Sequence, residues 1–227
     1  MFYFLSYILL KNATLRSKSL MWRITLMPMY FLLALSSAQA KEVQFSDKSS
    51  SIFVKVFKDV DGYGAFLAHN HAIEAKGWSA GFKYEDDLCE LSLTVPVKQL
   101  DVDPPSLRKS LGGDFKGEIS EGDRETIKKN MLASDQLNAA KHSTIQFTAK
   151  KCELSGEKSF ITGDFTLRGV TQSIVIPVSF AEDGDSVALK GNFEVKSTDY
   201  GFEPYSAMFG QIANKTEMVI EFNLKSQ

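Results

Sequence analysis

Along most of the chain apolar and polar residues alternate one by one, the period of a β-strand with one buried face and one wetted face. The clearest run is Phe160 to Phe180, FITGDFTLRGVTQSIVIPVSF. Ile161, Gly163, Phe165 and Leu167 share one face, Ile174, Ile176, Val178 and Phe180 share another, and Arg168-Gly169-Val170-Thr171 has the composition of a turn. The spacing predicts a hairpin. A hairpin alone is marginal in water, so its apolar face must meet further strands.

Six more strands are predicted around it. Ile52, Val54 and Val56 form the first, and Ala72 to Tyr84 the second, with bends expected at Gly77 and Gly81. Leu91, Leu93, Val95 and Val97 form the third, and Ile145, Phe147 and Ala149 the fourth. The hairpin supplies the fifth and sixth, Val187 to Val195 the seventh, and Met218, Ile220, Phe222 and Leu224 the eighth. Between the third and fourth, Leu100 to Ser120 carries Pro104-Pro105 and Gly112-Gly113 and reads as irregular. Asp123 to Ala133 then has helical spacing, with Ile127 and Met131 on one side and Arg124, Lys128 and Lys129 on another. The expected fold is all-β: an eight-stranded antiparallel barrel with one helix, in the long connection, lying over one end. Closure removes exposed edges. A barrel of that size is either just filled by side chains or holds one small ligand.

The first forty residues follow another plan. Met21-Trp22-Arg23 is a short basic start, Ile24 to Leu35 is almost wholly apolar, and Ala38-Gln39-Ala40 is a small-x-small site before Lys41. These are the three parts of a cleavable secretory signal, with cleavage expected after Ala40 and translation starting at Met21. Arg23, Thr25 and Pro28 leave the apolar run short for a membrane span. Residues 41–50 are polar and read as a tether or a short edge segment, and residues 51–227 as one barrel domain.

The 26 Lys and Arg against 28 Asp and Glu show no basic stripe, which argues against a nucleic-acid partner. Export would place the two cysteines in an oxidising compartment, where they could pair. Parity opposes pairing: Cys89 is in phase with Leu91 and Leu93, Cys152 out of phase with Phe147 and Ala149. Only a bulge at Lys150-Lys151 would bring both sulfurs to one side.

Several segments in order resemble the YceI-like family of bacterial periplasmic lipid-binding proteins. GDFTLRGVTQSIVIPVSF (Gly163 to Phe180) is similar to the family's Gly-x-Leu-Thr-x-x-Gly-Val-Thr and the Val-rich strand after it. Arg124 with Asn130-Met131-Leu132, followed by HSTIQF (His142 to Phe147), is similar to its Arg-bearing helix and strand entry, and STDYGFEPYSAMFG (Ser197 to Gly210) to its Ser-x-Phe-Gly turn. Phe165, His142 and Tyr200 depart from the family's usual Leu, Tyr-Pro and Phe. The likeness runs from about Ser51 to Leu224.

The resemblance implies a lipocalin-like barrel that binds an isoprenoid or other long-chain lipid, such as a polyprenyl chain or quinone tail, in the periplasm, with transient membrane contact and no cofactor. Alternation places the candidate lining on every wall: Val54 and Val56, Leu91 and Leu93, Phe147, Phe165 and Leu167, Ile176 and Val178, Phe193, Ile220 and Phe222. Arg124, Arg168, Tyr200 and Tyr205 are candidates for the rim, where guanidinium or phenol could hold a head group. His69 and His71, two apart on a strand, could with Asp61 or His142 bind a metal and support hydrolysis. No catalytic motif accompanies them, and the chain reads as a binding protein rather than an enzyme. A solid barrel serving as an envelope interaction module is the third alternative.

Overall fold

A computed structural model describes residues 40–60, 68–85, 88–155 and 159–226. The leader expected before Ala40, the Asp86-Asp87 turn, Asp61 and the patch Ala65-Phe66-Leu67 lie outside the described residues.

The strands are β1 (Lys41–Ser46), β2 (Ser51–Lys58), β3 (His71–Glu74), β4 (Ser79–Glu85), β5 (Leu88–Pro96) and β6 (Asp101–Val102). Helices α1 (Pro105–Leu111) and α2 (Glu121–Leu132) follow. Then come β7 (Thr144–Glu153), β8 (Ser159–Leu167), β9 (Val170–Asp183), β10 (Ser186–Lys196), β11 (Ser206–Ala207) and β12 (Ile212–Lys225). They form one curled antiparallel sheet in the order β1-β4-β5-β7-β8-β9-β10-β12-β2-β3-β6, with β11 beside β12. The run from His71 to Glu85 pairs with β2 through its first half and with β5 through its second.

Among the described residues there are twelve strands rather than the eight expected, and two α-helices rather than one. The second strand is split into β3 and β4 at Gly77, whose φ of +66° suits glycine and whose missing Cβ leaves room for the Gln99 side chain. Gly81 stays within the ladder, opposite Gln44 and Ser92. Of the two readings of residues 41–50, the edge segment is the one found: β1 lies at one edge of the sheet, its polar residues outward and Val43 and Phe45 buried against β4. Helix α1 starts with Pro105 in its first turn, where a missing N–H costs nothing. Helix α2 begins before Asp123, because the Ser120 hydroxyl accepts a hydrogen bond from the Asp123 N–H at 3.1 Å.

The predicted hairpin forms with Ile161 opposite Ile176 and Gly163 opposite Ile174, so both apolar faces point inward together. The β9–β10 ladder stops at Val178 and Gly191, next to Pro177, which has no N–H to extend it. Phe45, Phe82 and Tyr84 stack near β1, with Phe180 edge-on to Tyr84.

Cys89 and Cys152 are bonded, with Cα atoms 5.4 Å apart, which corrects the parity expectation. The register slips by one between Ala149 and Lys151, and the inward positions of β7 change from odd to even there. The bulge is what turns Cys152 toward Cys89.

Candidate functional site

The inward faces of the sheet enclose a cavity of about 250 Å³. Val54 and Val56 of β2 line it, with Leu91 and Leu93 of β5, Phe147 of β7, Phe165 and Leu167 of β8, Ile176 and Val178 of β9, Phe193 of β10, and Ile220 and Phe222 of β12. One-by-one alternation brings them together because successive side chains of a strand project to opposite faces. Helix α2 adds Ile127, Asn130 and Met131, spaced three and four residues apart on one side. Gln136, Leu137, Phe202, Pro204 and Tyr205 continue the wall beyond the helix. Asn130 and Gln136 were not legible as lining, since polar residues on a helix and just after it resemble a solvated surface.

The polar groups on the wall are unevenly placed. His71 opens β3, Ser197 follows β10, Tyr205 precedes β11, and Asn214 and Lys215 lie early in β12. In an antiparallel sheet these starts and finishes fall at one end, the end that α2 covers. There the Asn130 side-chain amide donates to the Tyr205 hydroxyl at 3.2 Å, and the Gln136 amide donates to the Glu203 carbonyl at 3.2 Å.

The other rim candidates are placed differently. Arg168 tops the β8–β9 hairpin with φ +53° and donates to the carbonyls of Gly201 and Ser134, its guanidinium 5.9 Å from the Phe202 ring centre. It ties three loops together and is not part of the cavity wall. Arg124 is half-buried on α2, also outside the wall. Tyr200 is buried with its ring edge-on to Phe165 at 5.7 Å, and burial, with Asp199 nearby, pushes its phenol up to about 12.

The two histidines part company. His69 is exposed, whereas His71 faces inward opposite Val56. His71 Nδ1 lies 2.7 Å from Asp103 Oδ2, and Asp103 Oδ1 accepts from the Ala72 N–H at 2.9 Å and from Arg108 at 2.6 Å. Arg108 also donates to the Asn70 carbonyl at 2.8 Å. Burial pushes the Asp103 carboxyl up, but the hydrogen bonds from His71, Ala72 and Arg108 outweigh it and hold the acid below its ordinary range. His142 lies against Gly169 of the hairpin turn. Among the described residues no three His, Cys, Asp or Glu gather as a metal site. Neither Asp103 nor Arg108 was singled out in the sequence, because both sit in the proline-bearing stretch read as irregular.

The YceI-like domain model matches residues 37–225. The chain belongs to the YceI-like family. Among curated relatives of this YceI-like chain, a UPF0312 protein of Azotobacter vinelandii is 32% identical over 82 residues, 33% of this chain and 43% of that protein. Protein YceI of Escherichia coli O157:H7 is 35% identical over 57 residues, 25% of this chain and 30% of that one. These alignments span less than half the length of the relatives. The crystal structure of Burkholderia cenocepacia BcnA superposes with a TM-score of 0.56 at 16% identity, covering 78% of this chain and 96% of that one. That likeness concerns the fold.

Proposed function

We propose that this YceI-like protein is an exported carrier or sequestering protein that holds an isoprenoid-type lipid, a polyprenyl chain or quinone tail, inside a lipocalin-like barrel, without turning it over. The observation that carries this reading is the apolar cavity, lined from β2 to β12 and roofed by α2. An engineered apolar cavity of about 150 Å³ stays dry and accepts benzene, so a larger greasy void is a receptive space for a slender hydrocarbon. Burying each methylene is worth about 0.8 kcal/mol, so one isoprene unit contributes about 3 kcal/mol before entropic costs. The hollow interior disfavours the solid-barrel alternative. The Asp103 partner of His71 and the exposure of His69 disfavour a shared metal between them.

Two further features support export and membrane contact. The Cys89–Cys152 bond suits an oxidising compartment such as the periplasm. Met208 and Phe209, exposed at 56% and 109%, stand on a turn between cavity-lining Tyr205 and Asn214. Exposed aromatic and thioether groups at such a tip suit brief insertion among lipids. The carrier reading is tested by adding geranylgeraniol to delipidated protein: saturable uptake of one molecule per chain is expected, and no uptake contradicts it.

A further inference from the structure

We infer that the side wall of the barrel opens between β9 and β10, and that the hydrocarbon chain of the ligand enters and leaves the cavity through this seam rather than past α2. The inference rests on the carrier reading and adds the route by which the same cavity loads and empties.

The pairing along this wall is uneven. β8 pairs with β9 from Ser159 and Val178 to Leu167 and Val170, and β10 pairs with β12 from Ala188 and Lys225 to Lys196 and Glu217. Between them, β9 and β10 are laddered only from Asp183 and Ser186 to Val178 and Gly191. Residues 170–177 of β9 and 192–196 of β10 therefore have a strand partner on one side only. Moving these two edges apart breaks no ladder bond, unlike separating β8 from β9 or β10 from β12. β5 and β7 also lack a ladder beyond Ser92 and Thr148, but there the Cys89–Cys152 bond holds them together.

The point where the ladder ends has a local cause. The Pro177 carbonyl oxygen lies 2.6 Å from where a Gly191 Cβ would stand, so Pro177 faces β10. The nitrogen of a strand residue points the same way as its carbonyl, and here it carries no hydrogen to make the next bond. Gly191 fits because a side chain would collide with that oxygen and with the Phe222 ring, also 2.6 Å from the same point.

An outer cleft sits over this point. Phe53, Phe160 and Pro177 give it apolar surface, and it reaches Val178 and Phe222, which also line the inner cavity. Bare glycine backbone and the edge of one aromatic ring stand between the two spaces. A hydrocarbon chain thus meets apolar groups all the way from Phe160 outside to Phe193 inside. Toward its other end the seam is crossed by light ties: the Gln172 amide donates to the Asp199 carbonyl at 3.2 Å, and Phe193 lies edge-on to Phe165 at 5.5 Å. The α2 end is fastened more heavily, by Arg168 on the Gly201 and Ser134 carbonyls and by the Asn130–Tyr205 and Gln136–Glu203 hydrogen bonds.

The test bridges the seam from outside. Continuing the β9–β10 register past Val178 and Gly191 sets Val175 across from Glu194; both are exposed and neither lines the cavity. A Val175→Cys/Glu194→Cys variant is joined by the shortest bis-maleimide that spans the pair; the native cysteines, bonded to each other, do not react. Uptake of tritiated geranylgeraniol, and its release into excess unlabelled geranylgeraniol, are then timed before and after bridging. Bridging should slow uptake and release together by about tenfold or more and leave the dissociation constant unchanged. Pro177→Thr, which restores an N–H where the ladder stops, should slow both rates in the same direction without any crosslink. Rates that bridging leaves unaltered, or a change in release without a matching change in uptake, overturn the seam while leaving the carrier reading standing. Failure of wild type to take up geranylgeraniol overturns both.

Discussion

Cys89 and Cys152 are joined across β5 and β7 because a single extra residue at Lys150 shifts the phase of β7. Without it, the register that sets Ser92 opposite Thr148 would put Lys151 opposite Cys89. The bond closes a loop spanning 63 residues. By loop entropy such a link stabilises by about 4 kcal/mol, with engineered and native cases scattering below that. Urea unfolding of wild type and Cys89→Ser, compared at matched protein concentration, should show a clearly lower midpoint in the variant. Coincident curves would mean that the bond does nothing for the fold.

The Asp103 carboxylate predicts a pH dependence. Its folded pKa lies below the unfolded value, so its stabilising contribution is complete above about pH 4 and is lost as pH falls through the folded pKa. Asp103→Asn leaves Arg108 buried without its counter-charge and should cost about 3–5 kcal/mol at neutral pH. It should also flatten the decline in stability below about pH 4. Parallel declines for wild type and variant would remove Asp103 from the account.

Val178 is the place to fill the cavity. It lies on β9 opposite Ser159, inward, half-buried and bordering the void. In a solid core, Val178→Trp would overpack and cost about 1–3 kcal/mol. Here the indole should occupy space meant for ligand, so the variant should keep its melting temperature and lose lipid uptake. Unchanged uptake by a folded variant contradicts the placement of the site.

At the exposed turn, Phe209→Ser touches nothing in the fold and should change stability by less than about 0.5 kcal/mol. Co-sedimentation with phospholipid vesicles should fall, and so should the rate of ligand transfer to them, while the amount of ligand held at equilibrium stays the same. Equal sedimentation of variant and wild type would rule out this turn as the membrane contact.

How much of this was legible in the sequence depended on how local each signal is. Val54 and Val56, or Phe165 and Leu167, declare an inward face by period alone, and the cavity wall follows from that period repeated strand after strand. Phe45 was lost in a polar run because Lys41, Glu42 and Gln44 mask a short alternation. The bulge at Lys150 was visible only as a condition, since one residue of slippage leaves no mark in composition. His71 could be noticed, but its partner Asp103 stands 32 residues away, and nothing local announces that a strand start and a loop after β6 will meet. Arg168 misled for a related reason: a positive charge beside a hairpin suggests an open rim, whereas its hydrogen bonds go to backbone carbonyls brought there by the chain after α2 and after β10.

The central claim is that a long apolar chain occupies the space between β2, β5, β8, β9 and β12. Native mass spectrometry of the protein purified from its own host tests it most directly. The account predicts a discrete added mass that extracts into organic solvent as an isoprenoid-type lipid and is missing from Val178→Trp. Protein that flies only at its bare mass, and stays bare after exposure to its own host's extracted lipids, would contradict it.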